Sequence, residues 1–386
     1  MASDRPSLAT IAVQWGRIGL TGFGGPPTHI ALLRSLVVDR NHWIEPREFE
    51  DAVGACNLLP GPASTQLCIF CARRLAGSLG ALVGGLCFIV PAVVLMLALS
   101  ALFLAQSPPT WVRGAGAGAG SAVAAVAVQA ASLLMVPSWE RAGRRAARRA
   151  RWAVYLGLGI AAGALVGPYV VLVLLGCGVV ELAIASGIGG RSAASVALPA
   201  VPLAAAAVGG IPALVWVAFK VGALSYGGGF VIVPLMQNDA VHTYHWMTSG
   251  QFLNAVALGQ VTPGPVVATV AAVGYAAHGV AGGALAAAVA FAPSFAFVLA
   301  GGRHFERVRT DVRAQRFLDG AGPAAIGTIL GSAIPLTRAL QERWQLVLLA
   351  AAAVALLVAR RGIVPTLVLA GVIGAVVALA GAPLPG

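Results

Sequence analysis

The chain of 386 residues is 59% hydrophobic and only 10% charged, with a mean hydropathy of +0.87. A soluble domain carries about 25% charged residues, so an ordinary soluble fold is excluded and an all-α polytopic membrane protein is expected. The formal net charge is +12, yet only Lys220 among the 25 basic residues is a lysine and most arginines cluster in a few connecting segments. This is the pattern of the positive-inside rule rather than of nucleic-acid binding. A single lysine inside an apolar run also excludes a Walker A nucleotide loop.

Residues 8 to 25 form the first apolar segment, which ends at Phe23-Gly24-Gly25-Pro26-Pro27 and leads straight into the duplicated motif, so a cleavable signal is not expected. A polar stretch to Asp51 follows, with Arg34, Arg40 and Arg47 among its charges. Residues 50 to 72 are apolar but cut by Pro60-Gly61-Pro62, and end at Arg73-Arg74. Proline lacks an amide hydrogen and Pro60 drives Leu59 toward extended backbone, so the helix breaks here. Pro62 suits the first position of a new helix, which leaves the amides of Ala63, Ser64 and Thr65 outside the helical ladder, at the positive end of the dipole. Such an end attracts anions.

Apolar spans follow at 79 to 104 and 114 to 136, the second opening with alternating Gly and Ala that permit close helix approach. The segment 137 to 151 carries Arg141, Arg144, Arg145, Arg148, Arg149 and Arg151 against one acid, Glu140. It reads as a cytoplasmic loop, with anionic-lipid binding as the alternative. Spans at 152 to 166 and 168 to 186 close the first half, which we place at residues 1–190, and 187 to 210 joins it to the second, 191–386. Glu181 stands alone in an apolar span. The five cysteines all lie in apolar segments, and Cys68-Ile69-Phe70-Cys71 lacks the further ligands or βαβ context that a metal or redox motif needs.

The second half repeats the first at a constant offset of 203 residues. Arg17 falls on Lys220, Phe23-Gly24-Gly25 on Tyr226-Gly227-Gly228, Trp43 on Trp246, Phe49 on Phe252 and Pro60-Gly61-Pro62 on Pro263-Gly264-Pro265. Past the break the offset drops by one, and Pro91 meets Pro293. This is an internal duplication. Spans are expected at 211 to 229, 250 to 276 (broken), 280 to 301, 318 to 337, 344 to 359 and 363 to 381. The charge pattern is opposite: residues 237 to 249 hold no Lys or Arg, while 303 to 316 hold five arginines. If each Pro-Gly-Pro segment enters the membrane and returns to its own side, about five full crossings per half invert the second copy. Most arginines then lie in the cytoplasm, and Arg338 and Arg343 are minor dissenters. Inverted repeats whose broken helices meet near the midplane are a transporter architecture.

On these residues the chain resembles the chromate ion transporter family in its long, two-domain form. Phe23-Gly24-Gly25-Pro26 with His29, Trp43 and Leu59-Pro60-Gly61-Pro62 carry the likeness in the first half. Tyr226-Gly227-Gly228-Gly229, Trp246, Gln260, Thr262-Pro263-Gly264-Pro265, Gly274-Tyr275 and Pro293-Ser294 carry it in the second. Asn57 and Cys71-Ala72 depart from the pattern, where Gln and Gly-Tyr are expected. The resemblance implies a multi-pass transporter of the cell (plasma) membrane that moves chromate and confers resistance to it.

Chromate is a tetrahedral dianion shaped like sulfate, and two opposed helix N-termini supply donors for it without full charges. The candidate binding residues are Arg17, Gly24, Gly25, Asn57, Pro60, Gly61, Pro62, Ala63, Ser64, Thr65 and Gln66 in the first half. In the second they are Lys220, Gly227, Gly228, Gly229, Gln260, Thr262, Pro263, Gly264, Pro265, Val266 and Val267, with Thr269 as a further donor. Against these stand plainer readings: snorkelling for Arg17 and Lys220, tight turns for the glycines, interfacial anchoring for Trp43 and Trp246, and a structural role for His29 rather than proton carriage. The expected function is secondary export of chromate. The alternative is a sulfate or other oxyanion carrier or channel without a resistance role. An intramembrane enzyme is disfavoured, since the broken segments hold no cluster of Asp, Glu or His. The expected partners are the oxyanion and membrane lipids, with a homodimer left open, no nucleic acid and no cofactor or metal.

Overall fold

The computed structural model describes residues 6–58, 61–105, 107–166, 170–185, 209–225, 232–301 and 311–385, and among these it is all helical. The expected joining segment 187 to 210 lies almost wholly outside the described residues, as does much of the arginine stretch 303 to 316.

Helix α1 (Leu8–Thr21) opens on Ser7, whose hydroxyl accepts from the Thr10 amide, and stops at Gly22. Gly24 and Gly25 take φ of +100° and +76°, left-handed values that glycine adopts without strain. Pro26 and Pro27 then start α2 (Pro26–Arg34), where their missing amides cost nothing. The polar stretch is therefore helical: α2 runs into a π turn at Ser35–Arg40, and α3 covers Pro46–Leu58. Helix α4 (Ala63–Phe103) is broken at Ala76 and Gly77, the latter with φ of +65°. The chain doubles back there, since a Cβ on Gly80 would lie 2.4 Å from the Ala72 carbonyl oxygen and one on Gly85 would lie 2.9 Å from Ile69 Cγ1. At 13 residues, α3 reaches about 20 Å, too short by itself for a hydrocarbon core of about 30 Å.

Helices α5 (Thr110–Ser121) and α6 (Val123–Ala142) form one apolar stretch with a joint at Ala122. Helix α7 (Ala146–Ala161) begins earlier than the expected span and takes Arg148, Arg149 and Arg151 into its first turns, and α8 (Val170–Ala185) closes the first half.

The second half follows with α9 (Ile211–Leu224), α10 (Ile232–Gln237), α11 (Ser249–Val261), α12 (Val270–Gly301), α13 (Val312–Arg338), α14 (Arg343–Ala353) and α15 (Ile363–Leu379). The duplication is visible in small detail. The π turn 35–40 has its counterpart in Asn238–Thr243. His42 and His245 carry φ of +49° and +51°. The amides of Trp43 and Ile44 bond Val37 O as those of Trp246 and Met247 bond Ala240 O. The break at Ala76-Gly77 recurs at His278-Gly279.

The equivalent helices α4 and α12 run antiparallel. A Cβ on Gly85 would lie 2.5 Å from the Phe295 ring, and one on Gly283 would lie 2.3 Å from Leu97 Cδ2, so one number falls as the other rises. This is the relation that inverted repeats require.

Beyond this pair the halves interlock. Helix α5 packs on α15, where a Cβ on Gly118 would sit 2.2 Å from Ala370 O, and α13 packs on α7, where one on Gly159 would sit 2.0 Å from Ala324 O. Bare glycine surfaces let these backbones touch, which supplies helix association where lipid removes the hydrophobic drive. Four stretches of described helix are long and apolar enough to cross a bilayer: Ala63–Phe103, Thr110–Ala142, Val266–Ala300 and Gln315–Arg338. Four shorter apolar helices accompany them.

Candidate anion site at the crossed Pro-Gly-Pro loops

Gly61 and Gly264 take φ of +113° and +95°, so each break is a turn that only glycine makes easily. Pro62 and Pro265 follow in extended conformation, as the caps of the next helices. Pro62 thus stands one residue ahead of its expected place, and the ladder of α4 begins with the Gln66 amide on Pro62 O at 3.0 Å. The amides of Ala63, Ser64 and Thr65 are the first three of the helix, which that ladder does not use.

The second break differs. A short 3-10 turn at Val266–Thr269 comes first, and the Ala268 amide bonds Pro265 O at 2.8 Å. Its Thr269 hydroxyl donates to Val266 O at 2.7 Å, and the Thr262 hydroxyl donates to Leu258 O at 2.6 Å. Both hydroxyl protons are held locally, so these threonines offer an anion less than Thr65 does.

Each loop sits against the other half. A Cβ on Gly61 would lie 3.4 Å from Ser294 Oγ and 3.5 Å from Gly222 O; one on Gly264 would lie 2.7 Å from Ala92 Cβ and 3.4 Å from Gly19 O. Exchanging the repeats exchanges these contacts. The Gly264 amide donates to Gly22 O at 3.1 Å, and the same carbonyl lies 2.9 Å from His29 Nε2. Since a carbonyl only accepts, Nε2 carries the proton, and in neutral His29 the Nδ1 atom accepts from Ser64 Oγ at 3.2 Å. His29, fully buried, so ties the first broken helix to the second. A Cβ on Gly25 would lie 3.8 Å from Val266 Cγ2, which brings the first glycine turn to the second break.

Polar atoms without a protein partner concentrate here. Thr65 Oγ1, Ser225 Oγ, Gln260 Nε2 and Ser294 Oγ are buried and unbonded among the described residues. A buried polar atom left unpaired costs about 1–3 kcal/mol, so such a cluster calls for a ligand or water. Ser225 and Ser294 did not figure among the expected site residues. Ser294 lies in a motif of the family likeness, whereas at the position equivalent to Ser225 the first half has Gly22, so the repeat itself concealed it.

Other expected residues lie elsewhere. Arg17 is exposed, and Lys220 is buried in an ion pair with Asp239. Each stands two residues, about 200° of helical rotation, from the glycine (Gly19 or Gly222) that meets a break, so neither faces the junction. Ala63, Ser64, Thr65, Gln66, Gln260, Val266 and Val267 are all buried around the breaks. Pro60, Gly227, Gly228, Gly229 and the Asn57 side chain lie outside the described residues. Glu181 accepts from Arg151 at 2.7 and 2.9 Å and from Tyr155 Oη at 3.0 Å, which accounts for an acid in an apolar helix. The cysteines are free, and no group of three or more His, Cys, Asp or Glu arranged for a metal occurs among the described residues.

Two antiparallel repeats whose broken helices cross in a buried, polar junction define a multi-pass membrane transporter. The family model described as Chromate transporter matches residues 9–182 and again 212–385. The chain belongs to the chromate transporter family. It is 31% identical over 388 residues to a chromate transport protein of Cupriavidus metallidurans, covering 98% of this chain and 94% of that one. A chromate transport protein of Pseudomonas aeruginosa is 32% identical over 347 residues, covering 85% and 80%. A probable chromate transport protein of Synechococcus elongatus is 26% identical over 345 residues, covering 86% and 85%. No solved structure matches the chain.

Proposed function

We propose that this protein exports chromate from the cytoplasm and so confers chromate resistance, with sulfate as the competing anion of like shape. The observation that carries the reading is the cluster of partnerless buried polar atoms, Thr65 Oγ1, Ser225 Oγ, Gln260 Nε2 and Ser294 Oγ, around the two crossed breaks. Hydroxyls and an amide nitrogen donate to oxygen, and the open amides of Ala63, Ser64 and Thr65 add the positive end of a helix dipole. Among the described residues no Lys or Arg is found against either break, which leaves a dianion bound by dipoles and free to leave again.

Direction follows from charge. Moving one elementary charge across 100 mV is worth about 2.3 kcal/mol, so a dianion leaving a cell that is negative inside gains about 4.6 kcal/mol. The names of the relatives from Cupriavidus metallidurans and Pseudomonas aeruginosa support chromate as the substrate. The test is flux of radiolabelled chromate and sulfate in proteoliposomes under an imposed potential. Chromate flux toward the positive compartment, saturable and inhibited by sulfate, is expected. Flux that ignores the potential, or sulfate flux untouched by chromate, overturns the reading.

A further inference from the structure

A cavity of about 490 Å³ opens at one end of the molecule, between α5, the start of α11, the start of α14 and the last residues of the chain. Its walls include Ser107, Arg113, Thr248, Gln251, Asn254 and Gln345. The arginine pattern puts the segments around 105, 248, 340 and 385 outside the cell, each through a different count of crossings. The fold gathers these four segments around one hollow.

We propose that this cavity is an outward vestibule that holds the oxyanion weakly, with Arg113 as its cation. The proposal rests on the transport reading above and adds a second site on the same path. Arg113 is exposed and donates to Pro385 O at 3.3 Å, and no ion pair engages it among the described residues. No acidic side chain among the described residues offsets its charge at the mouth. The other polar side chains of the wall are neutral hydroxyls and amides, set among apolar residues such as Phe103 and Leu253, which suits an anion that must enter and leave.

Helix α11 connects the vestibule to the central site. It starts at the capping box of Thr248 and Gln251 and ends at the second break, 13 residues or about 20 Å away. Asn254 stands partway along and lines the cavity; in the amide orientation that satisfies both neighbouring carbonyls, its nitrogen donates to Gly116 O at 2.7 Å and to Gly250 O at 3.3 Å. A Cβ on Gly116 would lie 2.7 Å from the Asn254 amide and one on Gly120 would lie 3.2 Å from Leu253 Cβ, so these two residues of α11 pack directly on α5. Two further turns of α11 lead to Gln260 and its unpaired nitrogen.

The test uses the full chain in intact cells and in proteoliposomes, with Ser107→Cys on the exposed rim. The parent is the blank, since four of its five cysteines are buried and Cys87 is half-buried. Two membrane-impermeant thiosulfonates, one carrying a sulfonate and one a quaternary ammonium, are applied from each side. Labelling from outside alone, slowed by sulfate, is expected. Adding Arg113→Gln should lower the ratio of sulfonate to ammonium labelling rates by about tenfold, since one nearby charge acts on the two reagents with opposite sign. The same substitution should raise the half-saturating external sulfate concentration for exchange. Labelling from the cytoplasm, no effect of sulfate, or an unchanged ratio overturns the proposal. Equilibrium sulfate binding by Ser294→Ala separates the two sites: loss of binding there with an unchanged labelling ratio removes the vestibule and leaves the central site, and the reverse pattern does the opposite.

Discussion

Lys220 and Asp239 form a buried ion pair between α9 and the π turn that follows α10, while the residues 203 positions earlier, Arg17 and Leu36, form none. The duplication supplied a cation at each place and an acid at only one. Between Arg191 and Arg303 these two are the only Lys, Arg, Asp or Glu side chains. Breaking a buried pair by removing one partner costs about 3–5 kcal/mol, because the other charge stays behind uncompensated. We therefore expect Lys220→Gln and Asp239→Asn each to lower the thermal stability of the purified protein severely. The double substitution should recover much of the loss. Arg17→Gln, at an exposed site, should fall within about 0.5 kcal/mol of the parent. A double variant no better than the singles would show that the two charges do not stabilise each other.

The offset of 203 residues makes much of this fold legible in the sequence alone. It foretold both breaks, the first glycine turn and the matching tryptophans, because tight turns depend on Pro and Gly and those residues are easily read; the second glycine motif lies outside the described residues. Three things escaped it. The interlocking of α5 with α15 and of α13 with α7 depends on glycine faces: the Gly-Ala run of α5 reads as a surface for close approach, but nothing in the sequence names the helix that meets it, and the glycines of α7 and α13 read as ordinary apolar helix. The 3-10 start at Val266 breaks the symmetry of the two N-termini through local hydroxyl bonds. The pairing of Lys220 with Asp239 is a tertiary contact that no period in the chain announces.

The glycine faces can be tested directly. A Cβ on Gly159 would lie 2.0 Å from Ala324 O and one on Gly327 would lie 2.1 Å from Leu156 O, and backbone cannot turn aside as a side chain can. Gly159→Ala should push α7 from α13 and cost about 1–3 kcal/mol, the usual range for overpacking. Gly157→Ala, on the same helix with nothing within 4 Å of its Cβ, is the control and should be neutral or slightly stabilising. Equal melting temperatures for the two variants in detergent would remove close backbone contact as the reason for glycine at position 159.

Inverted repeats place equivalent residues on opposite sides of the membrane. Arg40 and Thr243 are such a pair, 203 residues apart and both exposed at the end of the repeated π turn. Arg40→Cys should react with an impermeant thiol reagent only from the cytoplasm, and Thr243→Cys only from outside. Reaction of both from the same side contradicts the inverted topology, whatever the transport assay shows.

The central site makes a prediction with an unusual pair of signs. Ser294 is fully buried on α12, beside Gly61, and its hydroxyl has no partner among the described residues. If that hydroxyl served the fold, removing it would lower stability. It forms no hydrogen bond among the described residues, and a buried polar atom without a partner costs about 1–3 kcal/mol. Ser294→Ala should therefore leave the substrate-free protein as stable as the parent or raise its melting temperature. Binding should move the other way. A hydroxyl that donates to an ionised oxygen contributes about 1.5–3 kcal/mol, so its loss should weaken chromate and sulfate binding by about ten- to a hundredfold. Both anions should suffer alike, because the group reads oxygen and charge and not the central atom. Thr262→Val is the contrast: its hydroxyl already donates to Leu258 O, so that change should act on binding weakly. The measurement is equilibrium binding and thermal unfolding on the same purified samples. Lower stability with unchanged affinity would make Ser294 a structural residue and remove the strongest support for the anion site at the crossed breaks.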